Sequence, residues 1–291
     1  MGKQSNAKKQ RQVLKSLTPT QFLHDSRRTY ISEWRQSSSC HSALGHYQWM
    51  ASLLGAFDCG FDIGSGDGSG LLELSKHGRA IISIDENASQ TQIARERLSK
   101  DGVQVHYLQR EMIDDLMDVP LYAIQYCGIP VKPSSLPLRG VYLLDGDCTP
   151  DADLGLREWL RGVGPFDVVT CWLMGTHRAR QRSWTYRHFE PDNPHMYRKY
   201  IHNQVYDLAN EILKPGGLLQ VVDRGPGPVE KMKDSAYREW QEQAKTTILT
   251  LKAIDAIEYE TVKDGIRLVA SDGRTMPPKL SLCSVISQKP A

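Results

Sequence analysis

The sequence predicts an α/β fold built on a mostly parallel sheet. Three observations carry this. Short apolar runs alternate with helical stretches along most of the chain. Some runs, such as Ala80-Ile81-Ile82-Ser83-Ile84, are apolar without interruption, as in a strand covered on both faces. Between the first strand and its helix, Phe61-Asp62-Ile63-Gly64-Ser65-Gly66-Asp67-Gly68-Ser69-Gly70 places glycine at every second position from 64 to 70.

Each element has a local reason. Residues 1–17 form a basic leader, with Lys3, Lys8, Lys9, Arg11 and Lys15 and no acid in the first 15 residues, and are expected to be disordered. Thr18-Pro19 reads as a helix cap followed by proline in the first turn. That helix is expected to run to about Trp34 and break at Gln36-Ser37-Ser38-Ser39. A second covers 46–54 and stops at Gly55. Residues 59–63 read as the first strand. Leu71, Leu72 and Leu74 start a helix, 80–84 form the second strand, closing at Asp85, and 88–100 an amphipathic helix. Strands follow at 103–108, 140–144, 166–171 and, after Pro215-Gly216-Gly217, at 218–222, with a helix over 197–213. The last part reads as strands at 257–262, 266–270 and 280–286 with no long helices between them, which suits an antiparallel edge.

Composition narrows the class. The chain has 291 residues, 40% hydrophobic and 24% charged, with net charge +2. This is an ordinary globular balance and not that of a dedicated nucleic-acid binder. No apolar run approaches the roughly 20 residues that span a bilayer, and no secretory signal opens the chain. The six cysteines are scattered with no Cys-x-x-Cys pair, which argues against a disulfide framework and a metal site and for a cytoplasmic setting.

The glycine corner suits close approach of a ligand to main chain at a helix start. A dinucleotide fingerprint requires a third glycine where Ser69 stands, or Leu71 if counted from Gly66, so that pattern fails. The arrangement Asp62-x-Gly64-x-Gly66-x-Gly68 instead resembles the first motif of the class I, Rossmann-like S-adenosylmethionine-dependent methyltransferases. The resemblance spans about residues 45–290. Asp85 matches the family's ribose-binding acid. Leu144-Asp145-Gly146-Asp147-Cys148 resembles the third motif, in which Asp147 is the better match for the acid that meets the adenine amino group, with the Cys148 N–H at the ring. Asp145 in that role, with Asp147 as a cap, is the alternative; if 103–108 is the family's third strand, Gln109, Arg110 or Glu111 stands there instead. Phe166 to Trp172 resembles the fourth motif, with Cys171 near the methyl group, and Leu213 to Leu219 the turn before the fifth strand.

The resemblance implies S-adenosyl-L-methionine as cofactor and a seven-stranded, doubly wound sheet with an antiparallel C-terminal edge strand. It divides the chain into the leader (1–17), N-terminal helices (18–56) and the methyltransferase domain (57–291). A lid-like insertion at about 109–139 and a substrate loop at about 174–196 interrupt that domain. Asp62, Gly64, Ser65, Gly66, Gly68, Asp85, Asp147, Cys148 and Cys171 are the implied cofactor residues.

The acceptor is less marked. The fourth motif carries neither Asn/Asp-Pro-Pro-aromatic, nor a glutamate pair, nor Pro-Cys. Four arginines, two histidines, a tryptophan and a tyrosine fall between 177 and 188. They read either as a solvated loop or as a clamp in which Arg178, Arg180, Trp184 and Tyr186 hold the substrate and His177, or else His188, serves as base. The expectation is a methyl transfer to an O or N atom of a small or medium-sized, optionally anionic, molecule. Alternatives are an RNA or protein substrate, or a non-catalytic binding module.

Overall fold

A computed structural model of the chain describes residues 17–116, 119–130, 139–150, 152–187, 194–260 and 279–291. Residues 1–16, His188, Pro133, Pro137 and the strand expected at 266–270 lie outside them.

The chain enters through helix α1 (Pro19–Ala43). Thr18 caps it reciprocally with Gln21, and Pro19 occupies the first turn. The break expected at 36–39 does not occur. Ser37 and Ser38 face inward, and Ser38 donates to Asp67 at 2.7 Å, so the serines find partners without leaving the helix. A short α2 (His46–Ser52) follows.

An eight-stranded sheet then forms from β1 (Phe57–Ile63), β2 (Gly78–Asp85), β3 (Val105–Leu108), β6 (Gly140–Asp145), β7 (Phe166–Trp172), β8 (Leu213–Pro226), β9 (Thr250–Glu260) and β10 (Lys279–Gln288). The spatial order is β3-β6-β2-β1-β7-β8-β10-β9. The first six are parallel to one another. The antiparallel C-terminal strand β10 lies between β8 and β9, and β9 forms the edge. Eight strands, not seven, correct the expected count. The addition is β3, which pairs with β6 outside the rest, so 140–145 and not 103–108 adjoins β2.

The insertion carries a hairpin, β4 (Glu111–Asp115) with β5 (Tyr122–Tyr126), that the sequence reading passed over. Helices α3 (Ser69–Leu74), α4 (Ala88–Lys100), α5 (Leu154–Val163), α6 (Pro194–Ile212) and α7 (Val229–Ala244) complete the layers.

Both sheet faces are covered. Phe61, Ile63, Ile82 and Ile84 pack with Trp159 and Leu160 of α5 and Ile201 and Val205 of α6. Ile81, Val141, Leu143 and Val168 pack with Trp34, Tyr47, Leu71 and Ala94 on the other side. This accounts for the unbroken apolar strands. The chain leaves β1 toward β2 on one side and returns as β7 on the other, so a crevice opens at their carboxyl ends. Among the described residues, no helix is long and apolar enough to cross a membrane.

Candidate functional site

The crevice is a cleft of about 670 Å³, counting space open to solvent. Its base is the glycine turn. Gly64 and Ser65 donate backbone N–H to the carbonyl of Ile84 at 2.8 and 3.3 Å, tying the turn to β2. Gly66 has φ +50°, and a Cβ there would stand 2.9 Å from Trp34 Nε1 of α1. Gly68 has φ +83° and touches the backbone of Ala94 in α4, where a Cβ would be 2.9 Å from its Cα. The first glycine admits a tryptophan and the second a helix. Asp67, which sequence reasoning did not single out, pins this turn. It accepts from Ser38 Oγ at 2.7 Å, from Ser69 N at 3.2 Å and from Arg97 Nη2 at 2.9 Å.

Asp62 has a different task from a ligand contact. Its neighbours in register are Ser83 and Thr170, and each hydroxyl donates to it at 2.7 Å. It is buried, which pushes its carboxyl up to about 6 against those two hydrogen bonds. It sits below the cleft and joins three strands.

Asp85 closes β2 beside the turn. Gly66 N donates to Oδ2 at 3.0 Å and Asn87 N to Oδ1 at 2.9 Å. Burial, then the charge of Glu86, raise its carboxyl to about 7 despite these donors. A carboxylate has about four lone-pair sites, so two acceptor positions remain.

Beyond Asp85 lies a charged cluster. Arg27 of α1 donates to the Glu86 carbonyl, and its Nη2 lies 3.0 Å from Glu86 Oε2 and 2.5 Å from Glu111 Oε2. His177 Nε2 is paired with Glu86 Oε1 at 2.9 Å, while Nδ1 has no partner among the described residues. Burial would raise the Glu86 carboxyl, but Arg180, His177 and Arg27 hold it well below its usual range. Burial lowers the His177 imidazole, with Glu86 opposing.

Asp147 lies across from this cluster. Thr149 N and Oγ1 donate to Oδ1 at 3.0 and 2.9 Å, Tyr186 OH to Oδ2 at 2.8 Å and Arg180 Nη2 to Oδ2 at 3.2 Å. Four protein donors occupy the carboxylate. Asp145 also faces protein groups, Tyr107 OH and Arg110 N. Arg110 is held by Asp153 in a buried bidentate pair at 2.7 and 2.9 Å.

Gly64, Gly66, Asp85, Asp147, Cys148, His177 and Arg180 therefore meet around one cleft. Asp62, Ser65, Gly68 and Cys171 do not line it, and the Cys171 thiol is enclosed in the core. Of the loop residues, Arg178 is exposed. Trp184 is 46% exposed, with the Arg187 guanidinium 3.7 Å from its ring centroid. Tyr186 is buried behind Asp147. Arg180 is buried and spent on Asp147 and Glu86, with its guanidinium 4.5 Å from the Tyr186 ring.

The site also gains Trp34 and four members that sequence reasoning missed: Tyr30, Glu86, Asn87 and Gln90. Several carry buried polar atoms with no hydrogen-bond partner among the described residues: Trp34 Nε1, both amide atoms of Asn87, both of Gln90 and His177 Nδ1. Buried polar groups are normally satisfied. Their concentration around one cleft marks a place for a polar ligand. At its end Leu173, buried at the close of β7, holds φ +56° and donates N–H to Val222 at 2.8 Å. A left-handed backbone on a branched residue costs on the order of 1–3 kcal/mol, and here it turns the chain across the cleft mouth.

No protein-family profile matches the chain, and no curated protein matches it. Solved structures similar to it include the N-methyltransferase NodS of Bradyrhizobium japonicum, 12% identical, TM-score 0.43, over 86% of this chain and 97% of that one. Others are the precorrin-6y C5,15-methyltransferase of Geobacter metallireducens, 13% identical, TM-score 0.40, over 82% and 86%, and an SAM-dependent O-methyltransferase of Thermotoga maritima, 14% identical, TM-score 0.41, over 84% and 65%. In strand order, glycine turn and antiparallel pairing of the last strand, the chain has a Rossmann-like, doubly wound α/β fold.

Proposed function

We propose that the chain is an S-adenosylmethionine-dependent methyltransferase that modifies an O or N atom of a small or medium-sized, anionic acceptor. The observation that carries this reading is the set of unpartnered polar atoms around the cleft, above a glycine turn and beside Asp85. The residues present fit the cofactor. The two free positions on the Asp85 carboxylate suit the two ribose hydroxyls. Asn87, Gln90 and the Cys148 N–H suit the purine edge, and the main chain of the Gly64–Gly66 turn, which lines the cleft, suits the amino-acid tail. Asp147, with four protein donors, serves as the anchor of that wall and not as the adenine acceptor.

When bound, S-adenosylmethionine supplies an electrophilic methyl group on its sulfonium. The chain's own work is positioning, which is worth several kcal/mol when the reacting atoms are held near 3 Å. His177 lines the cleft and is kept neutral by burial, so it can accept a proton from the acceptor, and Glu86 beside it steadies the imidazolium formed. A cleft walled by α1 favours a molecule that enters it over a polymer lying across it. Burial of Arg180 removes one member of the positive surface that an RNA substrate would use.

The test is calorimetry with S-adenosylhomocysteine, followed by a labelled-methyl screen of fractionated small metabolites. Micromolar binding and label in a low-mass product are expected. Absence of nucleoside binding, or label only in RNA or protein, defeats the reading.

A further inference from the structure

Arg224 stands apart from every role described so far. It is 3% exposed, near the carboxyl end of β8, opposite Leu282 of β10. Its Nε and Nη1 are buried without an acceptor, and it forms no ion pair among the described residues. The adjacent acid, Asp223, is 3.1 Å from Arg198 Nε instead. Among the described residues the guanidinium meets the Trp34 ring and no carboxylate, and a buried guanidinium without an anion is costly.

Its described neighbours are mostly aromatic. The guanidinium carbon is 5.8 Å from the centroid of Trp34, whose Nε1 has no partner. His41, 6.5 Å from Trp34 ring to ring, has an unpartnered Nε2 and stacks on Tyr259 at 4.9 Å. The positive charge of Arg224 is felt at Tyr30, His41 and Tyr47. Burial, then Arg224 and His46, lower the His41 imidazole to about 3, so it stays neutral. One fixed cation with two idle nitrogens of its own, the idle Trp34 Nε1–H and an aromatic wall describe a receptor for a monoanion. A planar carboxylate matches the guanidinium fork. A phosphate dianion would need a second cation.

The place is the acceptor end of the cleft. Val222, two residues before Arg224, pairs with Trp172 and accepts the N–H of Leu173. Trp34 and Tyr30 line the cleft and Arg224 does not. Trp34 lies between them, held by packing, with no hydrogen bond at Nε1.

We propose that Arg224 is the seat of a carboxylate subsite for the methyl acceptor, reached when the Trp34 ring swings aside; this rests on the methyltransferase reading above. The experiment titrates the full chain, saturated with S-adenosylhomocysteine, with sodium benzoate, acetate or phosphate, reading heat and tryptophan fluorescence, with Trp34→Phe to assign the signal. Wild type is expected to bind a carboxylate in preference to phosphate. Arg224→Gln should weaken that binding about 10- to 100-fold, the range of charge-assisted hydrogen bonds. It should leave S-adenosylhomocysteine affinity within twofold and melt no lower than wild type, because an unpaired buried charge has gone. Equal carboxylate affinity in both proteins, preference for phosphate, or no carboxylate binding to wild type overturns the subsite. So does a lowered melting point, which makes Arg224 structural, or a tenfold loss of S-adenosylhomocysteine, which gives it to the cofactor's own tail. If wild type fails to bind S-adenosylhomocysteine, the methyltransferase reading falls, and benzoate titrated alone still decides on Arg224.

Discussion

Asp85→Asn tests the cofactor assignment through both affinity and pH. The carboxylate already holds two backbone N–H groups, from Gly66 at 3.0 Å and Asn87 at 2.9 Å. Two ribose hydroxyls would fill its remaining positions. Hydrogen bonds to a charged group contribute about 1.5–3 kcal/mol each. Asparagine has one acceptor oxygen and turns its NH₂ toward one of the two backbone donors. The variant should therefore lose about 3–6 kcal/mol of nucleoside affinity, roughly 10²- to 10⁴-fold.

The pH dependence follows from the carboxyl being raised to about 7 in the free protein. Hydroxyl donors favour the ionised form, so binding lowers that value. Affinity for S-adenosylhomocysteine should climb with pH below about 7, by at most tenfold per pH unit, and level off above it. His177 titrates below its usual range and Asp62 lies outside the cleft, so neither produces this profile. Calorimetry from pH 5.5 to 8.5 reads both quantities. A flat wild-type profile, or a variant within threefold of wild type at pH 8, refutes the assignment.

Other outcomes can be checked alongside. Gly68→Ala meets a backbone in a left-handed conformation and should cost about 2–5 kcal/mol in denaturant unfolding. Gly66→Ala meets only the Trp34 ring and should cost less stability while weakening nucleoside binding. Asp62 ionises only above about 6 in the folded chain but near 3.8 when unfolded, so its contribution to stability is present below 3.8 and lost as pH rises through 6. Asp62→Asn should thus melt no lower than wild type at pH 8, and a fall of more than about 5 °C there (about 1 kcal/mol or more) would contradict this. Asp153→Asn breaks the buried pair with Arg110 and should cost about 3–5 kcal/mol by chemical denaturation. Glu86→Gln should lower turnover and shift its pH profile, with His177→Ala lowering it further, about 10²- to 10⁴-fold; unchanged turnover in both removes His177 as the base.

The parallel layer was legible because burial on both faces writes itself as runs such as 80–84, and a glycine turn after such a run has few other uses. The length of α1 was hidden by Ser37 and Ser38, whose partners lie in the core and at Asp67, 29 residues beyond Ser38. The hairpin of β4 and β5 buries little on either strand, so its alternation is faint. Helix α7 was obscured by its polarity, with only three residues buried. Within the site, Gly64, Gly66 and Asp85 are close in sequence and could be read as a unit. The tie from Arg180 and Tyr186 to Asp147 closes over 33 and 39 residues, and no local pattern announces it. Asn87 and Gln90 look like an ordinary helix start until the cleft shows their amides idle.

Helix α1 is at once part of the fold and one wall of the cleft. Thr20 fastens it to Asp115, Arg27 to Glu86 and Glu111, and Ser38 to Asp67, while Tyr30 and Trp34 between those fastenings face the interior. Anything enclosed behind those two rings departs only when the fastenings let go. On the proposed function, this 25-residue helix would set the dwell time of a spent nucleoside, and weakening Arg27, which does not line the cleft, should hasten exchange.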